Sequence, residues 1–360
     1  MTATRILIVD DSSTTRLLLT RLLDRDPQVE VVATAADGQI ALSKLAQSLP
    51  DLVLLDVEMP QLDGLATLKA LREKYPTLLV IMFSRLTRRG AAESVEALFL
   101  GADDYVAKPE SSEDLERCIE NELLPRILSL AGKRSNLSST TRTQIAEPGP
   151  VDPGTEDEIT LRTDAPAAPV EVVTIAASTG GPAALATLLS SLAPDPDVPI
   201  LIVQHIAANF TAAFSSRLAQ KTGLNIQVAK ADQAVGAAQV WIAPGDHHMF
   251  LADSDDGVRV RLNQSLPEHS CRPAGNVLFR SAAQLFGDGS LGVVLTGMGV
   301  DGLAGSQAIV DAGGRVIVQD EVSSVVWGMP GSVAKAGLAD TMLSPVRIGR
   351  EIRRRLTIGK

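Results

Sequence analysis

The 360-residue chain contains two cysteines, Cys118 and Cys271, far apart in sequence. So few exclude a disulfide framework, a multi-cysteine zinc site and a Cys-x-x-Cys redox motif. Aromatic residues make up only 3%, too few for the stacking platforms that hold single-stranded nucleic acid. Positive charge is also in deficit. Against 43 Asp and Glu stand 33 Lys and Arg, a net charge of −10 that repels phosphate backbones. The one basic cluster, from Arg347 to Lys360, reads as a solvated helix face, and no nucleic-acid partner is expected. No apolar run approaches the ~18–20 residues of a membrane span. An apolar strand begins by Ile6, which leaves no room for the charged and apolar regions of a signal peptide. The expectation is a cytoplasmic monomer with no membrane insertion.

What the chain does have is a 45% hydrophobic content, enough to build cores for two or three domains. From Arg5 to about Leu130, short apolar runs alternate with helical patterns. The runs are ILIV (Ile6–Val9), VEVVA (Val29–Ala33), LVLL (Leu52–Leu55), LLVIMF (Leu78–Phe83) and DYVA (Asp104–Ala107). Continuous rather than alternating apolarity marks strands buried on both faces of a parallel sheet. Five such βα repeats make one doubly wound α/β domain, residues 1–130. From Ala131 to Pro169 there are five prolines, nine Ser or Thr and no aromatic residue, with apolar residues scattered singly. That stretch reads as a flexible linker. Residues 170–360 alternate strands and helices again and predict a second doubly wound, mostly parallel α/β domain. A hairpin insert is expected around Met249–Leu262, turning at Asp255-Asp256-Gly257.

In the first domain Asp10 and Asp11 follow the first strand, Asp56 the third, Ser84 the fourth and Lys108 the fifth. In an open α/β sheet these positions converge outside the strands' carboxyl ends. Three carboxylates there repel one another unless a hard cation such as Mg2+ sits among them. Lys108 suits a phosphoryl oxygen and Ser84 offers a hydroxyl. Such a site can phosphorylate a carboxylate. With Ile8-Val9-Asp10-Asp11, Asp56-Val57-Glu58-Met59-Pro60, Asp63-Gly64 and Lys108-Pro109, residues 5–125 resemble the response-regulator receiver domain. The resemblance implies Asp56 as phosphoacceptor from a CheA-like histidine kinase. It also implies Asp10, Asp11 and Asp56 as Mg2+ ligands, Ser84 and Lys108 as phosphate contacts, and Tyr105 as a switch aromatic.

In the second domain Ser178 follows an apolar strand and precedes Thr179-Gly180-Gly181-Pro182, where a helix should begin. A serine on a tight strand-to-helix turn exposes its hydroxyl, and the glycines let a substrate approach the backbone. Backbone N–H groups at the helix start suit an oxyanion, each donor contributing about 2.7–4 kcal/mol. The turn is not a P-loop, since no Lys-Ser or Lys-Thr follows, but a phosphate-binding or purely structural turn would read alike. Of the four histidines only His205 closes a strand of the presumed central sheet. Asp301 sits in a Gly-rich turn before a helix, where a plain N-cap is the competing reading. Together they offer nucleophile, base and orienting carboxylate at one sheet edge. A metal hydrolase is disfavoured by the lack of an HExxH or His-rich cluster.

The segments AASTGGP (176–182), QHI (204–206), APGDHH (243–248), RPAGNVLFRSAA (272–283) and LTGMGVDG (295–302) closely resemble the chemotaxis protein-glutamate methylesterase family, CheB. The likeness spans receiver, linker and catalytic domain. It implies Ser178 as nucleophile, His205 as base and Asp301 as orienter, with Thr179 and Met298 in the active-site surround beside Gly180 and Gly181. No cofactor is implied for the ester hydrolysis. The substrate implied is a methylated glutamate on the cytoplasmic helices of a chemoreceptor, with deamidation of receptor glutamines by the same acyl-enzyme route. A receiver tethered to a hydrolase further implies control by phosphorylation, the unphosphorylated receiver blocking the receptor's access. A non-chemotaxis sensory array or a non-catalytic signalling scaffold are the alternative settings. The family usually has Gly at Ala176, His-Met-Pro over His205–Ala207 and Asp near Asn276. The methyl at 176 is expected to tighten the nucleophile turn, and the missing proline to loosen the loop carrying the base.

Overall fold

The computed structural model describes residues 3–85, 88–109, 111–132, 159–163, 168–192 and 196–357. The chain forms two compact units, Met1–Gly149 and Pro150–Lys360. Most of the stretch read as linker, 133–158 and 164–167, lies outside the described residues. Residues 131 and 132 end the last helix of the first unit. Ile159 packs on the core of the second unit, and Arg162 N–H donates to Ala339 O at 2.9 Å.

In the first unit β1 (Thr4–Val9), β2 (Val29–Ala35), β3 (Leu52–Leu55), β4 (Leu79–Arg85) and β5 (Asp104–Lys108) form one parallel sheet in the order β2-β1-β3-β4-β5. Each strand but the last is followed by a helix that returns the chain to the sheet: α1 (Ser13–Leu23), α2 (Gly38–Leu45), α3 (Gly64–Lys74) and α4 (Arg88–Phe99). After β5 comes α5 (Ser112–Cys118), which runs on through a π-helical turn, Ile119–Leu123. Ser12, Asp37, Asp63 and Ser111 cap α1, α2, α3 and α5 by accepting from the N–H three residues on, so these polar residues set where the helices start. Gly64 is required by packing. A Cβ there would run into the Asp56 carbonyl, so the α3 start lies directly against the Asp56 backbone.

The second unit is a seven-stranded sheet, parallel at every pairing, in the order β14-β13-β12-β6-β7-β9-β8. Its strands are β6 (Val172–Ala177), β7 (Ile200–Gln204), β8 (Ile226–Val228), β9 (Val240–Ile242), β12 (Ser290–Val294), β13 (Arg315–Gln319) and β14 (Thr341–Leu343). The helices are α6 (Gly181–Leu192), α7 (Ala208–Thr222), α8 (Gly275–Phe286), α9 (Leu303–Asp311), α10 (Gly328–Lys335) and α11 (Pro345–Thr357). The insert is an antiparallel hairpin, β10 (His248–Ala252) and β11 (Arg259–Asn263). Its turn closes through paired backbone bonds between Ser254 and Gly257, as the Asp-Asp-Gly pattern predicts. From β6 the chain winds outward through β7 and then crosses back to β12 on the other side. The reversal opens a crevice at the carboxyl ends of β6 and β12. Helix α10 and strand β14 were not legible in sequence. The helix reads GMPGSVAK, with two glycines and a proline that mask any period, yet Met329, Val333 and Ala334 are fully buried. Among the described residues no helix is long and apolar enough to cross a membrane.

Candidate active site

Ser178 is the first residue past β6, a strand buried along its whole length. Its N–H donates to Thr296 O at 3.0 Å, and its carbonyl accepts from Gly181 N at 2.7 Å and from Gln204 Nε2 at 2.9 Å. The turn is thus tied to β7 and to the segment after β12. Gly180 takes φ +75°, and a Cβ there would lie 2.5 Å from Val325. Behind the serine, a Cβ at Gly297 would lie 2.7 Å from Ser178 Cβ. Thr179 is buried, and its carbonyl accepts from Thr296 Oγ1. The Ser178 hydroxyl, half-buried, makes no hydrogen bond among the described residues. Met298 lies half-buried on the loop after β12.

β6 and β7 pair Ala177 with Gln204, so Ser178 and His205 leave adjacent strands side by side. His205 N–H donates to Ala177 O at 2.9 Å. His205 Nε2 lies 2.8 Å from Asp301 Oδ2. Asp301 is 1% exposed and accepts from the N–H groups of Gly275 (2.6 Å), Asn276 (3.0 Å) and Gly302 (2.9 Å). The N-cap of α9 is Gly302, without a side-chain cap bond. Asp301 instead sits on the N-terminus of α8, whose N–H groups and dipole favour an anion. Burial pushes its carboxyl up, but the bonds from His205 and from these amides more than offset that and hold it below the usual range. For His205, burial disfavours the charged ring, while the bonds to Asp301 and to the Cys271 sulfur raise its pKa to about 9. Cys271 Sγ lies 3.4 Å from His205 Nδ1.

His248 is buried, with its ring between Leu266 O and Ala274 N, while His269 takes a left-handed turn position. Sequence reasoning missed Gln204, which ties the Ser178 turn to the strand carrying His205, and Asn276, whose Oδ1 accepts from Gly302 and Gly305 N–H. It also missed Cys271, which no spacing pattern links to His205. The methyl of Ala176 abuts Gly275, which has no Cβ to oppose it. Ala207 has φ −65°, the value a proline would impose, so the backbone at that position is the one a proline would select.

In the first unit Asp10 and Asp56 follow the paired strands β1 and β3. Oxygen atoms of Asp10, Asp11 and Asp56 lie within 4.8 Å of one another, Asp11 being exposed and the other two buried. Lys108 Nζ reaches Asp10 Oδ2 at 2.5 Å and Asp56 Oδ2 at 3.0 Å, and lies 5.9 Å above the Phe83 ring. Burial is the main cause that raises Asp56 to about 6; Lys108 opposes the rise and Asp10 adds to it. A hard cation would relieve this crowding of carboxylates, and the donor set fits Mg2+. Ser84 lies inside the end of β4 rather than after it, buried, with its hydroxyl 3.5 Å from Arg85 O. Tyr105 lies within β5, half-buried against the core.

A family model described as CheB methylesterase matches residues 173–352, and one described as response regulator receiver domain matches residues 6–120. A protein of Trichodesmium erythraeum named protein-glutamate methylesterase/protein-glutamine glutaminase is 44% identical, over 98% of this chain and 99% of its own length. A protein of the same name from a Nocardioides species is 43% identical over 99% and 96%. The crystal structure of the Thermotoga maritima CheB methylesterase catalytic domain covers 51% of this chain and 98% of its own, at 34% identity and a TM-score of 0.50.

Proposed function

The chain belongs to the CheB methylesterase family and carries a receiver domain, and from that premise we propose that it removes methyl esters from glutamate side chains of chemoreceptors through Ser178, His205 and Asp301. The observation that carries this reading is the 2.8 Å bond between His205 and the buried Asp301, at the sheet edge where Ser178 turns. Asp301 holds Nε2, so the nitrogen left to act as base is Nδ1. Ser178 Oγ attacks the ester carbonyl as its proton passes to Nδ1, forming a tetrahedral oxyanion; of the first two residues of α6, Gly181 spends its N–H on Ser178 O and Pro182 has none. The tetrahedral intermediate collapses as His205 returns the proton to the departing methanol. Water, deprotonated by the same ring, then releases glutamate and regenerates the serine. A receptor glutamine would follow the same route with loss of ammonia, more slowly because the amine is the poorer leaving group.

In the receiver Asp56 is the phosphoacceptor for a histidine kinase, and its phosphorylation controls the esterase. Asp10, Asp11 and Asp56 would hold Mg2+, which when bound neutralises phosphoryl charge. Lys108, between Asp10 and Asp56, is within reach of a phosphoryl oxygen on Asp56. Ser84 and Tyr105 respond to the new charge. The test is methanol release from methylated receptor membranes, with and without a small-molecule phosphodonor and Mg2+. Wild type is expected to release methanol and to respond to the donor, and Ser178→Ala to release none. Release that survives Ser178→Ala would overturn the assignment.

A further inference from the structure

Cys271 takes no part in the chemistry above, yet its sulfur faces the one ring nitrogen that chemistry needs, 3.4 Å from His205 Nδ1. The turn that delivers it is tightly made. Glu268 and Cys271 exchange both backbone hydrogen bonds, at 3.1 and 2.8 Å, around His269 and Ser270. Those two residues have φ +49° and +63°, a region that non-glycine residues keep only where the surroundings over-determine it. The surroundings do so here. Glu268 is paired with Arg280 of α8. Arg272 is anchored by Asp246 Oδ1 at 3.0 Å and by the carbonyls of Gln264 and Ser265 at 3.1 and 2.9 Å. The thiol is therefore held against the imidazole by fixed scaffolding on both sides.

With Nε2 on Asp301 and Nδ1 facing the thiol, the ring has no nitrogen left for Ser178. We propose that Cys271 is a positioning residue that competes with Ser178 for His205 Nδ1, holding the base in reserve until the thiol gives that nitrogen up. The idea rests on the reading of Ser178 as nucleophile and His205 as base. A thiol suits the task because its sulfur, a weak acceptor, takes the Nδ1–H of the charged ring and so favours the protonated form, yet it is easily displaced by a hydroxyl. Among the described residues Asp301 and Cys271 are the two titratable groups bonded to the ring, so removing the thiol alters one of two contacts and leaves the other.

The test uses the full chain with Cys271→Ala and with Cys271→Val, which removes the thiol but keeps its bulk. The pH dependence of kcat/KM for p-nitrophenyl acetate and the NMR titration of the His205 ring are measured, the latter also in a Ser178→Ala background. In both variants the acid limb and the ring titration should move down by at least about half a pH unit, about threefold in free base at pH 7, with kcat raised and KM unchanged. An unmoved ring titration in both variants overturns the proposal, as does a moved titration without a gain in kcat. If hydrolysis survives Ser178→Ala, the nucleophile assignment fails instead, and the ring titration still reports on the thiol contact.

Discussion

At His205 two opposing effects meet. Burial disfavours the imidazolium, and the hydrogen bonds to Asp301 and Cys271 favour it more strongly, leaving a pKa of about 9. A raised pKa means that the ring's stabilising contribution is fully present below its unfolded value of about 6.5 and is lost as pH rises through about 9. As the proposed base His205 must act in the other form, so the acid limb of kcat/KM should lie well above 6.5. In Asp301→Asn that limb should fall toward 6.5, and kcat should drop by about 10³–10⁴-fold because the ring loses its orienting anion. A pH–rate profile of both proteins checks this, and a wild-type limb already at 6.5 would contradict it. Asp10, Asp56, Ser178 and His205 were legible in sequence because each directly follows or closes an apolar run, and strand ends converge. Asp301 was legible only as one of two readings, since an aspartate before a helix is common. Cys271 was not legible at all: it reaches His205 from a distant loop, 66 residues on.

Among the elements, the β6–α6 turn shows how backbone conformation sets chemistry. Gly180 combines φ +75° with close packing on Val325, so any side chain meets both a torsional and a steric penalty. Gly180→Ala should cost about 1–3 kcal/mol of stability. It should also lower kcat, because the same turn carries Ser178. Denaturant unfolding and ester hydrolysis measured on one preparation would check both, and full stability with full activity would show that the turn tolerates a Cβ. Strand edges were read closely where apolar runs are continuous: the structure places β3 at the four residues the pattern marks, Leu52–Leu55. Helix α10 escaped because its burial depends on contacts such as Met329 N–H to Gly297 O, which no local period encodes. β14 is three half-buried residues paired, among the described residues, with β13 alone, too short to stand out from a loop.

For the whole molecule the proposed function joins a carboxylate suited to phosphorylation in one unit to ester hydrolysis in the other. A tenfold response of the second to the first needs only about 1.4 kcal/mol of differential stabilisation. Asp56→Asn cannot form the acyl phosphate, so its methanol release should no longer respond to phosphodonor and Mg2+ while Ser178-dependent hydrolysis persists. A response retained in that variant would place the phosphoryl group elsewhere. The sequence by itself determined the two doubly wound sheets and the positions of Asp56, Lys108, Ser178 and His205, because apolar periodicity marks strands and strand ends are where chemistry collects. Only the tertiary structure decided which ring nitrogen meets Asp301, that Asp301 rests on the α8 N-terminus rather than capping α9, and that Cys271 faces Nδ1. Those contacts join residues 25 to 96 positions apart, and a distance of that kind is set by how helices and loops pack on the sheet, which no local pattern records.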